Sequence, residues 1–101
     1  MELWRHIKSG GEYVELCRAW GHDLDPMVIY KEFRGETIWA RISTEFDDGR
    51  FERIGTVPGE MSDSDFPLEG VFEADLKPCV IIIENDDYAI YSKEEWDALT
   101  S

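Results

Sequence analysis

The sequence predicts a mainly β (α+β) fold, a small SH3-like β-barrel with a C-terminal strand pair and one short helix. Three observations carry this. Side chains between Glu12 and Trp20 alternate with period two, as in a half-buried strand. Turn signals recur at short spacing, in Ser9-Gly10-Gly11, Arg34-Gly35-Glu36 and Asp47-Asp48-Gly49, and cut the chain into strand-length pieces. A strong helix start appears only near the end, in Ser92-Lys93-Glu94-Glu95.

Leu3–Ile7 reads as a first short strand, and Ser9-Gly10-Gly11 supplies the left-handed positions of a hairpin turn. In the second strand, Tyr13, Glu15, Cys17 and Ala19 fall on one face and Val14, Leu16, Arg18 and Trp20 on the other. Gly21 to Pro26 is a loop, because Pro26 keeps Asp25 out of the helical region. Met27–Phe33 is rich in strand formers. Thr37–Ile42 returns the chain, with Ile38, Ala40 and Ile42 facing the core and Trp39 and Arg41 facing away. Ser43-Thr44-Glu45-Phe46 suits one helical turn, and Arg50–Ile54 closes the barrel.

Gly55, Pro58, Gly59, Pro67 and Gly70, with Ser62-Asp63-Ser64-Asp65 between them, mark an acidic connecting loop. Val71–Ala74 makes a short strand, and the β-branched run Cys79–Glu84 a buried one. Asn85-Asp86-Asp87 turns into Tyr88–Tyr91. In the capping box, Ser92 bonds the Glu95 amide, and the helix Lys93–Leu99 docks through Trp96 and Leu99. The organisation expected is a barrel module over residues 1–54 and an acidic extension over 55–101 packed on it, a single domain overall.

The 101 residues carry a net charge of −13, beyond the magnitude of about 2–8 usual for a small domain. The charge is uneven. Residues 1–54 hold 11 acids and 8 bases, a net of −3; residues 55–101 hold 12 acids and 2 bases, a net of −10. The charge argues against direct binding to nucleic acid or anionic lipid, since each needs cations facing phosphate. A basic protein partner fits. The competing explanation is a solvated surface that only keeps the chain soluble. At 13% aromatic, the chain is no disordered acidic tail.

No basic start precedes an apolar run, so no signal peptide is expected. The longest apolar run, Cys79–Ile83, is too short to span a bilayer, and a cytoplasmic protein is expected. Cys17 and Cys79 read as reduced core thiols rather than a disulfide or zinc site.

The segments Trp4-Arg5-His6, Gly11-Glu12-Tyr13, Met27-Val28-Ile29-Tyr30, Trp39-Ala40-Arg41, Glu45-Phe46 and Asp48-Gly49-Arg50-Phe51 occur in an order that resembles a bacterial and phage family, domain of unknown function 1653. The resemblance covers residues 4–54. It implies a small β domain, frequently encoded in phages and prophages, without an assigned activity. Ile42 stands where the family usually has proline, and the acidic extension follows where many members end.

No chemical motif emerges. His6 lacks ligand-type neighbours at metal spacing and reads as a hydrogen-bonded structural residue. His22-Asp23-Leu24-Asp25 hints at cation binding, but Pro26 interrupts the pattern and turn chemistry explains it. No phosphate loop, nucleophile elbow or Cys–His pairing occurs, so no enzyme, cofactor or metal is expected. Two surfaces stand out. The first is the acidic set Glu60, Asp63, Asp65, Glu69, Glu73 and Asp75, expected to dock on a basic host protein, as inhibitors of host defence such as anti-CRISPR proteins and nucleic-acid mimics do. The second is an aromatic–arginine face of Tyr13, Tyr30, Trp39 and Arg41, suited to stacking and pairing with a nucleotide-like ligand, unless it is covered as a second small core. Either reading is compatible with a homo-oligomer.

Overall fold

The computed structural model describes residues 1–20, 25–59, 67–73, 76–84 and 87–101. Eight strands form one sheet: β1 (Glu2–His6), β2 (Glu12–Trp20), β3 (Pro26–Glu32), β4 (Ile38–Ile42), β5 (Phe51–Thr56), β6 (Leu68–Phe72), β7 (Lys77–Glu84) and β8 (Asp87–Ser92). One helical turn, α1 (Ser43–Phe46), follows β4, and α2 (Lys93–Thr100) follows β8. The expected turns fall where the sequence places them, with Gly10 at φ 76° and Gly49 at φ 102°. The loop around His22 and most of the acidic loop lie outside the described residues.

Followed through its hydrogen bonds, the sheet returns to its start. β2 pairs β3, β3 pairs β4, β4 pairs β6, β6 pairs β7, β7 pairs β8, and β8 meets β2. The two closing contacts are parallel: Trp39 and Ala40 of β4 against Val71 and Phe72 of β6, and Trp20 of β2 against Ala89 of β8. β1 continues from the other part of β2 and carries β5 on its far side. The five strands of residues 1–54 therefore do not close on one another, since β5 meets only β1 and β4 meets β6. The cause is β7. Cys79, Val80 and Ile81 are consecutive and each at most 2% exposed, so both faces of β7 must be covered. A strand of that kind takes a central place in a sheet rather than lying on its outside. Gly70 permits the join, because a Cβ there would stand 3.1 Å from the Ile38 side chain and carbonyl oxygen.

β2 departs from strict alternation. Val14 and Ala19 are both buried although they have opposite parity. The register against β3 shifts between Glu15 and Cys17, a bulge that swaps the two faces halfway along the strand. This lets one strand serve two cores. The first core joins Ala19, Met27, Ile29, Ala40, Cys79, Ile81 and Ile90, with Ile38 and Ile42 packed against it. The second joins Val28, Tyr30, Phe46 and Phe51, with Trp4, Tyr13 and Trp39 against them. β3 feeds both, so four residues in a row, Met27 to Tyr30, are buried.

α2 is capped as expected: the Glu95 amide donates to Ser92 Oγ at 3.1 Å. Its docking is lighter than the sequence suggests. No residue of α2 is buried, and Leu99 is 66% exposed. Trp96 is half-buried and tilts onto Tyr91, with ring centroids 5.8 Å apart. Ser92→Ala should cost about 1 kcal/mol of stability; an unchanged urea midpoint would show that the cap contributes nothing.

Both cysteines are free. Burial first, and Glu15 second, push the Cys17 thiol up to about 12, and burial pushes Cys79 to about 11. Neither forms a reactive thiolate at neutral pH.

Candidate functional site

The four residues of the aromatic–arginine face converge. Tyr30 and Trp39 are cross-strand partners, and Tyr13 meets Tyr30 edge-on with centroids 5.3 Å apart. With Arg41, His6, Ser9, Phe51 and Glu73 they line a cavity of about 150 Å³. The face is covered, however, and makes the second core. Its cover comes from α1 and β5 through Phe46 and Phe51, which stack at 4.2 Å with planes 15° apart. Tyr30 is 1% exposed, with Tyr13, Phe46 and Phe51 packed around its ring.

Glu73, which the sequence reading places on the acidic surface, completes this cluster instead. Its amide donates to the Ala40 carbonyl oxygen at 2.9 Å, extending the β4–β6 contact by one residue and bringing its side chain to Arg41. Arg41 Nη2 donates to Glu73 Oε1 at 2.7 Å, and Arg41 Nε and the Tyr30 hydroxyl both donate to Oε2. The Arg41 guanidinium also lies 5.3 Å from the Phe51 ring centroid. The side chains of Arg41 and Glu73 are only 14% and 22% exposed. Burial works to raise the Glu73 carboxyl, but the bonds from Arg41 and Tyr30 outweigh it and hold it below its ordinary value. Tyr30 is pushed up by burial and then by Glu73, and Arg41 is pushed up chiefly by its bond to Glu73. Trp39 Nε1 and Arg41 Nη1 are buried without a hydrogen-bond partner among the described residues. Arg41 thus already holds a carboxylate in the bidentate geometry it would offer an anionic ligand.

His6 sits at the edge of the same cluster. Its Nδ1 accepts from the Ser9 amide at 3.2 Å and lies 2.8 Å from Ser9 Oγ, and its ring meets Phe51 at 5.0 Å. These contacts pin the β1–β2 turn.

Of the acidic set, Glu69 is exposed and accepts from Lys93 of α2 at 3.1 Å. Glu60, Asp63, Asp65 and Asp75 lie outside the described residues. The rest of the charge follows a pattern. Arg5 pairs Glu52, Arg18 pairs Glu15 and Asp47, Arg50 pairs Asp48, and Arg53 pairs Glu2. The chain's own cations are largely matched, while the carboxylates of Glu12, Asp25, Glu32, Glu36, Glu45 and Glu94 have no partner among the described residues. Among those residues no group of three His, Cys, Asp or Glu is placed to hold a metal ion, and no helix is long and apolar enough to cross a membrane.

No family model, curated protein or solved structure matches this chain.

The sequence reading missed Phe46, Phe51 and Glu73 as members of the cluster. A signal for Glu73 was present: Cys79–Ile83 demands a strand on each side, and the segment before it carries Glu73 into the sheet.

Proposed function

We propose that this chain is a non-enzymatic interaction protein that binds a basic protein through its acidic surface. The observation that carries the reading is the unequal matching of charge: most described cations are held by carboxylates of the same chain, while Glu12, Asp25, Glu32, Glu36, Glu45 and Glu94 have no partner among the described residues. Such a surface steers a cationic partner from a distance and repels nucleic acid and anionic membranes. The resemblance to a family common in phages extends the proposal to a phage-encoded protein acting on a host protein in the cytoplasm, including inhibition of host defence. The scaffold in this reading is a small β-barrel that takes in β6, β7 and β8, which the return of the strand pairings to β2 supports.

The alternative, sequestration of a nucleotide by Tyr13, Tyr30, Trp39 and Arg41, is less favoured. The cavity of about 150 Å³ is smaller than the roughly 300–1,000 Å³ of small-molecule sites, and the Arg41 charge is already matched.

The test is to capture the partner from host lysate, identify it and measure its association rate against salt. The rate should fall steeply as salt rises. Neutralising Asp63, Asp65 and Glu69 together should weaken binding. Unaltered rate and affinity would remove this loop as the interface. A saturable tryptophan-fluorescence response to nucleotides, abolished by Arg41→Ala in a folded protein, would favour the alternative.

A further inference from the structure

Two turns end side by side at one end of the sheet. β2 and β3 are paired up to Tyr13 and Glu32, and the Phe33 amide donates to the Glu12 carbonyl oxygen at 3.0 Å. This brings the β1–β2 turn against the β3–β4 turn. Between them is a recess of about 390 Å³ lined by Gly11, Glu12, Tyr13, Glu32, Phe33 and Arg34, among others.

The backbone is shaped to hold side chains there. A Cβ at Gly35 would come within 2.2 Å of Glu32 Oε2, so the Glu32 carboxylate folds over the turn at a place only glycine leaves open. A Cβ at Gly11 would stand 3.1 Å from Tyr13 Cε2 and from its hydroxyl, so the phenol lies across the other turn. Phe33 is 37% exposed. Glu12 and Glu32 have no cationic partner among the described residues, and neither does Arg34 a carboxylate.

We infer that this recess receives an arginine or lysine side chain of the basic partner. The inference rests on the acidic-surface reading and gives it a point of contact. A cation is held best by an aromatic ring together with a carboxylate, and a guanidinium also takes a hydroxyl in its plane. The protein already holds one guanidinium this way, Arg41 against the Phe51 ring and the Glu73 carboxylate, to which the Tyr30 hydroxyl also donates. The recess assembles the same three kinds of group, in Phe33, Glu32 and Tyr13, with Glu12 beside them. Arg34 works against an incoming cation, which gives the test a variant of opposite sign.

The probe is a fluorescein-labelled hexa-arginine peptide, titrated by anisotropy at low and at high salt, with a hexa-citrulline peptide as the uncharged control. Phe33→Ala and Glu32→Gln should each weaken binding about fivefold, and Arg34→Gln should tighten it. Leu99→Ala, an uncharged exposed site on α2, should change it little. Hexa-citrulline should not bind. Each variant is compared only where its melting curve matches wild type. Should hexa-arginine bind wild type while Phe33→Ala, Glu32→Gln and Arg34→Gln all leave the affinity unchanged, the recess is not the contact and the acidic surface elsewhere is. No binding to wild type even at low salt overturns the acidic-surface reading and the recess with it.

Discussion

Phe46→Ala should destabilise the protein by about 3–5 kcal/mol, the cost of removing a fully buried aromatic ring. Phe46 is 0% exposed and stacks on Phe51 at 4.2 Å. Trp4 meets it edge-on at 5.0 Å, Tyr30 packs at 5.3 Å, and the Arg18 guanidinium lies 5.9 Å from its centroid. It is the last residue of α1, a single turn of four residues that has no stability of its own. The turn exists because it delivers this ring into the second core. Domains of this size have roughly 5–15 kcal/mol in total, so the variant should lose a large fraction of its stability. The measurement is the urea midpoint at constant slope. Leu99→Ala, at a site 66% exposed, should change stability by less than about 0.5 kcal/mol. Equal losses for the two would show that α1 does not anchor the core.

Glu73→Gln should cost about 3 kcal/mol near neutral pH, the lower part of the range for breaking a buried ion pair, since 22% of the Glu73 side chain remains exposed. The pH dependence gives a sharper check. The Glu73 carboxyl is held below its ordinary value of 4.5, so its contribution is complete above that pH and is lost as pH falls through the lower, folded value. The stability gap between wild type and Glu73→Gln should therefore be flat from pH 7 to about 5 and narrow below it. A gap that narrows already near pH 6 would mean that burial, not Arg41, governs the group. Arg41→Met combined with Glu73→Leu should cost less than the sum of the single changes, because neither charge is then left alone.

Local features were the most legible part of the sequence. β2 coincides with the expected Glu12–Trp20, α1 with Ser43–Phe46, and the helix cap at Ser92 is in place. Each follows from interactions among residues a few positions apart. The placing of Trp39 and Arg41 on one face of β4 was legible for the same reason, since period two alone decides it. What covers that face was not. Phe51 reaches it by pairing β5 with β1, and Glu73 by joining β6 to β4, and nothing in either segment states its partner. The bulge in β2 was also out of reach, because a single extra residue reverses the parity of all that follow. The acidic surface was legible as charge but not as geometry: Glu73 turned inward to Arg41, and Glu12 and Glu32, at the ends of β2 and β3, have no partner among the described residues.

The parallel contacts that bring the sheet back to β2 have a consequence for how the molecule breathes. Along the antiparallel ladders each strand is held over many residues, whereas among the described residues β8 pairs β2 at Trp20–Ala89 and β6 pairs β4 at Trp39–Val71 and Ala40–Phe72, with the Glu73 amide on the Ala40 carbonyl oxygen beyond them. The molecule is thus two leaves, residues 1–56 and 68–92, stitched along two short seams. Opening at a seam breaks few backbone bonds, so amide hydrogens there should exchange by local opening well before those of β3 and β7. The Trp20–Ala89 seam joins residues 69 positions apart, the widest separation among the described strand pairings, so it should carry a high loop-closure cost and form late in folding. Proteolytic nicking and refolding rates should both be governed by these seams rather than by the cores they enclose.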